Sequence, residues 1–437
     1  MNQKSILIQQ IVLYLTVISA FTGTLVMSVD MGPFHMFPYR VMLIIIWFLF
    51  VTFVFINRGI LAFSHIKVKL YMKYLAIWLG YAFISIVWAA DQIAALKNII
   101  FLFSGISIIF FLAYYMRDIN HFQYLYWIWI SIFIVLIPVG LWEITTGNHL
   151  VGSALLEEDR PWVAFAPTTV FVNQNDYAAF IVLAIPMIIT AIRYYSKLYI
   201  RVLGVFVLLC GLLLLIMTTS RSCYLALFTG LAFWFIFLLN LRKKLKTLAL
   251  VTTICCLIIF AFSSYIQDTF LLVQDQISSI SNIIDQSDDL GSDVVRLNLI
   301  KNALHFTTQS AGFGVGAGNA EYYMEHYKVY PTGHITNVHN WWAEILTNYG
   351  IFIFAGYIIF YGSLLLNLWQ VYKKTHVLQE KMICEALLVG LVSFFMASIS
   401  SSSIIAFPPQ WIFFGFVLAF LNYTRIKALE RRNPGAF

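Results

Sequence analysis

The sequence predicts an all-α integral membrane protein of about 12 transmembrane helices, with a large, partly helical extracytoplasmic loop before the tenth. Three observations carry this expectation. Of the 437 residues, 61% are hydrophobic and only 11% charged. That balance cannot be arranged as an apolar core inside a polar shell, so a bilayer must be the solvent. The apolar runs are about 20 residues long, the length a helix needs to cross the hydrocarbon, and they lack the alternation of a membrane barrel. Lys and Arg gather on alternate sides of those runs, as orientation in a membrane requires.

In chain order, spans are expected near 6–27, 38–57, 71–90, 98–116, 122–142, 174–192, 200–218, 222–240, 247–266, 350–370, 382–401 and 409–424. The first lacks a small-residue cleavage site after a short apolar stretch, so it reads as a retained helix and not as a removed signal peptide. With both termini cytoplasmic, all but seven of the 27 basic residues fall on the inner side. The exceptions are Arg40, Lys97, Arg160, Arg221, Arg296, Lys301 and Lys328, which lie outside with most of the acidic residues. The net charge of +7 therefore reports orientation, and no nucleic-acid motif accompanies it. Cys210, Cys223, Cys255, Cys256 and Cys384 lie in or beside apolar runs without ligand or disulfide spacing, and read as core filler.

Residues 1–437 form a single polytopic domain on this reading. Inner loops are short and basic, whereas two outer segments, 143–173 and 267–349, are long, and function on a rigid scaffold concentrates in such loops. No internal repeat relates the two halves, which weighs against an inverted-repeat transporter.

The loop 267–349 has internal structure. Ser287 to Ser292 is turn-like, and Ser292 or Asp293 is placed to cap a helix with Val294, Leu297, Ile300 and Leu304 at helical spacing. Arg296 falls in its first turns, with Lys301 and His305 beyond. The run Gly312-Phe313-Gly314-Val315-Gly316-Ala317-Gly318-Asn319 follows. No strand precedes it and its spacing is not that of a dinucleotide fingerprint. Two readings stand: a nest of amides that holds an anion, or a tight turn that folds the loop back onto the membrane. A second helix is expected from about Asn337-Val338-His339 through Glu344 to Gly350, roughly 15 Å long from His339, with Trp341 and Trp342 at the membrane interface.

Charges at membrane depth are costly, so those at outer span ends are the first candidates for chemistry. Arg221 sits in Thr218-Thr219-Ser220-Arg221-Ser222, a polar break between two apolar runs. It reads either as a functional cation or as an arginine snorkelling to the interface. Arg296 alone would be a solvated charge. His339 has the proton affinity of a base near neutral pH, and Asn340 and Glu344, four apart, are supporting candidates beside it. Asn175, in Asn173-Gln174-Asn175-Asp176 at the start of the sixth span, is read first as part of a helix cap and second as a sugar or phosphate contact. Glu157-Glu158-Asp159 is the acidic run of the other outer loop, but no Asp-x-Asp occurs anywhere, which argues against a metal-dependent nucleotide-sugar transferase. The outer histidines lack i,i+4 ligand spacing, so no metal site and no cofactor is expected.

Taken together, the Thr-Thr-Ser-Arg-Ser break, the Arg296 helix followed by the glycine run, and His339-Asn340 with Glu344-Ile345-Leu346 and Tyr349-Gly350 resemble the O-antigen ligase and polymerase superfamily over about residues 170–370. The resemblance implies a multi-pass enzyme of the bacterial cytoplasmic membrane that acts on undecaprenyl-diphosphate-linked glycans at the outer face, without metal or nucleotide. It implies that Arg221 and Arg296 hold the diphosphate and that His339 activates the acceptor hydroxyl. The implied partners are a lipid-linked oligosaccharide donor, a glycan or lipid acceptor, membrane lipids and other polysaccharide export or assembly proteins. Polymerases, including those of teichuronic acid and capsule, and ligases share these motifs and differ mainly in the acceptor. The moderate outer loops favour a polymerase. A lipid-linked glycan flippase would need ionisable or broken-helix residues at mid-membrane, which the first five spans hardly contain. A scaffold role predicts that Arg221 and His339 are dispensable.

Overall fold

A computed structural model describes residues 3–23, 28–31, 34–56, 63, 65–157, 164–240, 242, 244–245, 292–399 and 404–432. Its helices are α1 (Gln3–Ala20), α2 (Pro38–Ile56), α3 (Lys69–Ser85), α4 (Gln92–Tyr115), α5 (Ile119–Thr146), α6 (Gln174–Tyr194), α7 (Leu198–Met217) and α8 (Arg221–Phe233), which continues as a π turn over Trp234–Leu238. They go on as α9 (Ser292–Gln309), α10 (Ala320–His326), α11 (Trp341–Lys374), α12 (Leu378–Ala397) and α13 (Pro408–Arg432). Every expected span overlaps a helix except 247–266, which lies outside the described residues together with 267–291 of the outer loop.

Among the described residues, 8 helices are long and apolar enough to cross a membrane. The chain is a multi-pass membrane protein. α3 is shorter, at 17 residues, and α12 carries Glu380, Lys381 and Glu385 in an otherwise apolar run. One departure from an all-helical chain is a short antiparallel hairpin, Val29–Met31 with Phe34–Met36, in which Val29 pairs with Met36.

The centre of the bundle is built where helices are apolar on every side. α12 packs against α6 and α8, α13 against α4, and α1 against α2. Large apolar side chains such as Phe48, Phe55 and Ile359 stand exposed on the outer surface, as lipid contact requires. Pro138 and Pro186 sit inside α5 and α6, which membrane helices tolerate because neighbours take up the freed backbone groups.

Glu385 of α12 is fully buried, and Arg193 of α6 forms an ion pair with it. Tyr194 Oη at 2.7 Å, Trp234 Nε1 at 2.6 Å and Tyr372 Oη at 3.4 Å also donate to this carboxylate. The network pins α6, the π turn, α11 and α12 together, since a buried charge persists only when paired and hydrogen-bonded.

The helices α9 and α10 form a small cap with its own core of Val295, Leu299, Ala303, Phe306, Val315, Ala320, Met324 and Val338. The face of α9 turned inward is thus offset from the expected one. Val294, Leu297 and Leu304 are exposed, Ile300 is half-buried, and Val295, Leu299, Ala303 and Phe306 face the cap core.

The glycine run ties this cap to the bundle. The Val315 amide donates to Thr347 O at 2.8 Å, Gly316 to Asn348 O at 3.1 Å and Ala317 to Ser85 Oγ at 3.0 Å. Gly312, Phe313 and Gly314 donate to Thr307 O, Ser310 O and Ser310 Oγ. Amides already engaged cannot hold an anion, so of the two readings of this run the turn is the one the fold uses. α11 breaks at Gly350, whose φ of 76° and ψ of −178° let the Ile351 amide reach Gly312 O at 2.9 Å. Asn319 fastens the far end, accepting from the Asp91 amide at 2.7 Å and donating to Asp91 O at 3.0 Å.

Candidate functional site

His339 is placed by the residues on both sides of it. Val338 is buried in the cap core. The His339 amide donates to Asn337 Oδ1 at 2.9 Å, and Asn337 Nδ2 donates to Glu321 Oε1 of α10 at 2.6 Å. On the other side, the Trp341 amide donates to Ser398 O at 3.0 Å, and Trp342 Nε1 to Ser398 Oγ at 3.0 Å. The histidine is squeezed between these anchors in the left-handed region, at φ 49°. Left-handed backbone at a residue other than glycine is uncommon and persists where its surroundings over-determine it, often at functional sites.

Two expectations are corrected here. The helix does not include His339 or Asn340. It starts at Trp341, because Asn340 is the N-cap and its Oδ1 accepts from the Trp342 and Ala343 amides, both at 3.1 Å. Asn340 therefore supports the site through the helix it caps. The tryptophans are not both interfacial: Trp341 is buried in the bundle, its Nε1 donating to Tyr357 Oη at 2.9 Å, while Trp342 is half-buried. Glu344 lies half-buried in the first turn, its amide donating to Asn340 O at 2.8 Å.

Arg296 is exposed on α9 and comes near enough to His339 for its charge to be felt there. Burial, and after it the Arg296 guanidinium, hold the imidazole below its ordinary pKa. Near neutral pH the ring is uncharged and can accept a proton.

Arg221 is the first residue of α8 and exposed; Ser220 is the N-cap before it, and Thr219 before that stands at φ 56°. A β-branched residue in that region is a genuine outlier. A cation at a helix N-terminus also opposes the helix dipole, so helix stability does not explain why an arginine stands there. At a helix N-terminus it makes a surface suited to an anion. α8 packs along α12, whose C-cap Ser398 is the residue that anchors Trp341 and Trp342. Arg221 and His339 thus flank the same end of the bundle, with Arg296 beside the histidine.

Asn175 lies half-buried in the first turn of α6. The cap there is Asn173, whose Oδ1 accepts from the Asp176 amide at 2.9 Å and whose Nδ2 donates to Asp176 Oδ2 at 2.8 Å. Next to this turn, sequence reasoning missed Glu143. This buried carboxylate at the end of α5 accepts from the Thr168 amide at 2.9 Å, the Thr169 amide at 2.7 Å and Thr168 Oγ1 at 3.1 Å, and lies 3.3 Å from His149 Nδ1. It fixes the outer loop that leads into α6. The available signal was a carboxylate in an otherwise apolar run.

A lateral groove of about 610 Å³ runs below His339 between α8, α11 and α12, lined by Thr229, Trp342, Phe354, Tyr361, Gly362 and Phe395 among others. Its wall is almost wholly apolar, and Trp342 lies at its site end.

Two comparisons bear on this arrangement. Residues 206–358 match the family model described as O-antigen ligase. The chain is also 34% identical over 417 residues to the teichuronic acid biosynthesis protein TuaE of Bacillus subtilis (strain 168), covering 95% of this chain and 84% of that protein.

Proposed function

The chain belongs to the O-antigen ligase family, as a multi-pass membrane protein of cell-surface polysaccharide assembly, and on that premise we propose that it polymerises undecaprenyl-diphosphate-linked repeat units at the outer face of the bacterial cytoplasmic membrane. The observation that carries the reading is His339 held neutral beside Arg296 at the bundle end where Arg221 stands.

The reaction asks for what these groups supply. An acceptor hydroxyl attacks the anomeric carbon of the donor glycan, the bond from that carbon to the diphosphate oxygen breaks, and negative charge builds on the leaving diphosphate. His339 takes the hydroxyl proton as general base. Arg221 and Arg296, with forked N–H donors, stabilise the leaving group. The polyprenyl chain enters sideways and lies along the apolar groove below Trp342. The relative named for teichuronic acid biosynthesis supports a cell-surface polysaccharide as the product class; transfer to a different acceptor is the activity of a ligase.

His339→Ala and Arg221→Ala are expected to give folded, inserted protein that makes no long glycan. Removing one group that stabilises developing charge costs about 10²–10³ in rate in comparable sites. Full glycan output from either variant at normal expression removes that residue from the mechanism.

A further inference from the structure

At the opposite end of the bundle, among the basic inner loops, the ends of α11 and α13 and the start of α12 enclose a second cavity of about 300 Å³. Its wall carries Lys374, Arg425, Lys427 and Arg431 against a single carboxylate, Glu380, with Gln370, Thr375 and Thr424 between them. The preference of cytoplasmic loops for basic residues accounts for the sign of these charges. It does not account for four of them converging from two helices on one cavity whose other polar groups are amides and hydroxyls.

Two of the four have structural duties. Lys427 forms an ion pair with Glu380, whose oxygens also accept from Tyr423 Oη at 3.0 Å and Thr375 Oγ1 at 2.5 Å. Arg425 donates to Lys67 O at 3.1 Å and Asn367 Oδ1 at 3.2 Å, and its guanidinium lies over the Tyr71 ring. Lys374 and Arg431 are exposed at the cavity wall, and among the described residues neither has a carboxylate within ion-pair distance. The cavity therefore holds a surplus of positive charge at the ends of the helices, with donors on several sides. Its volume is at the lower end of the roughly 300–1,000 Å³ of small-ligand sites.

We infer that this cavity binds a phosphate-bearing anion, presented by the headgroup of an anionic phospholipid or by a soluble phosphate ester. The basic pockets between membrane helices that bind anionic headgroups have the same chemistry, and the Arg431 fork with the Lys374 ammonium divides the work of a bidentate and a point contact. The site is separate from the proposed diphosphate site, which lies at the other end of the helices, and does not depend on that reading.

The test is the thermal midpoint of the purified full chain in neutral detergent. It is measured with added phosphatidylglycerol, phosphatidylcholine or glycerol 3-phosphate, for the wild type and for Lys374→Ala with Arg431→Ala. Phosphatidylglycerol should raise the midpoint saturably and less so in high salt, phosphatidylcholine should not, and the double variant should need at least tenfold more lipid for the same rise. A rise with glycerol 3-phosphate identifies the soluble ester as a source, and its absence assigns the site to lipid. Lys374→Arg with Arg431→Lys, which keeps both charges, should retain the response and so separates lost binding from damaged folding. Equal shifts with both lipids, an undiminished response in the alanine variant, or no shift with either phosphatidylglycerol or glycerol 3-phosphate would overturn the inference.

Discussion

Replacing Gly350 by alanine tests how the outer cap is locked onto the bundle. Gly350 has φ 76° and ψ −178°, a region open essentially to glycine alone, and forcing another residue into it costs about 1–3 kcal/mol. A methyl group there would overlap the Gly312 carbonyl oxygen and lie 2.5 Å from Phe313 C. These are backbone atoms and cannot rotate aside. The glycine run must back away, which puts at risk the bonds from Ile351 to Gly312 O and from Val315 to Thr347 O, each worth about 1 kcal/mol. Together the loss is roughly 3–5 kcal/mol, a large part of the 5–15 kcal/mol by which domains are typically stable. The control is Gly362→Ala in the same helix, where an added Cβ meets nothing within 4 Å and helix propensity rises by up to about 1 kcal/mol. The assay is the thermal midpoint in detergent together with glycan output at matched expression. Gly350→Ala should melt several degrees lower and make less glycan, because the cap that carries Arg296 and His339 loses its seat, whereas Gly362→Ala should melt no lower than wild type. If Gly350→Ala retains both the wild-type midpoint and output, the cap is not held by this contact.

The pH dependence follows from the sign at His339. Burial and Arg296 depress its pKa, so the base is present at neutral pH, and activity should fall only as pH drops through a value below the ordinary imidazole pKa of about 6.5. Arg296→Gln relieves part of that depression, so in its residual activity the acid limb should move to higher pH; an unmoved limb would separate the two residues. At the other end of the bundle, Glu385→Ala leaves the Arg193 charge without its partner and removes the acceptor from three further donors. It should cost about 3–5 kcal/mol, read as a lower thermal midpoint, and a midpoint within one degree of wild type would show that the network is not what clamps these helices.

The helices were legible because the bilayer imposes their length on the sequence, and a run such as α7, with no charge between Arg201 and its end, has few alternatives. Contacts between distant segments were not. Nothing near Gly312–Asn319 announces that its amides are taken by Thr347, Asn348 and Ser85, so a nest and a turn looked alike. α9 carries two apolar stripes one residue apart, and only the position of the cap core decides that Val295 and Leu299 turn inward while Val294 and Leu297 do not. The start of α11 is expected from about Asn337 and falls at Trp341, because an asparagine inside a helical pattern and one capping it differ in backbone conformation and not in identity. At the site, motif order drew attention to His339, Arg296 and Arg221. The geometry adds the strained backbone at His339 and Thr219, which no residue type encodes, since both stand where glycine or asparagine would be the easier choice.

The central claim is that this chain catalyses glycosyl transfer from a polyprenyl diphosphate, and it is tested most directly by incubating the purified protein with lipid-linked repeat units alone. The account predicts a ladder of lengthened lipid-linked products from the wild type and none from His339→Ala. Product formed only after a second acceptor is added would turn the polymerase into a ligase acting through the same residues. No transfer under any acceptor, with translocation of the lipid-linked glycan once an ion gradient is imposed, would contradict it.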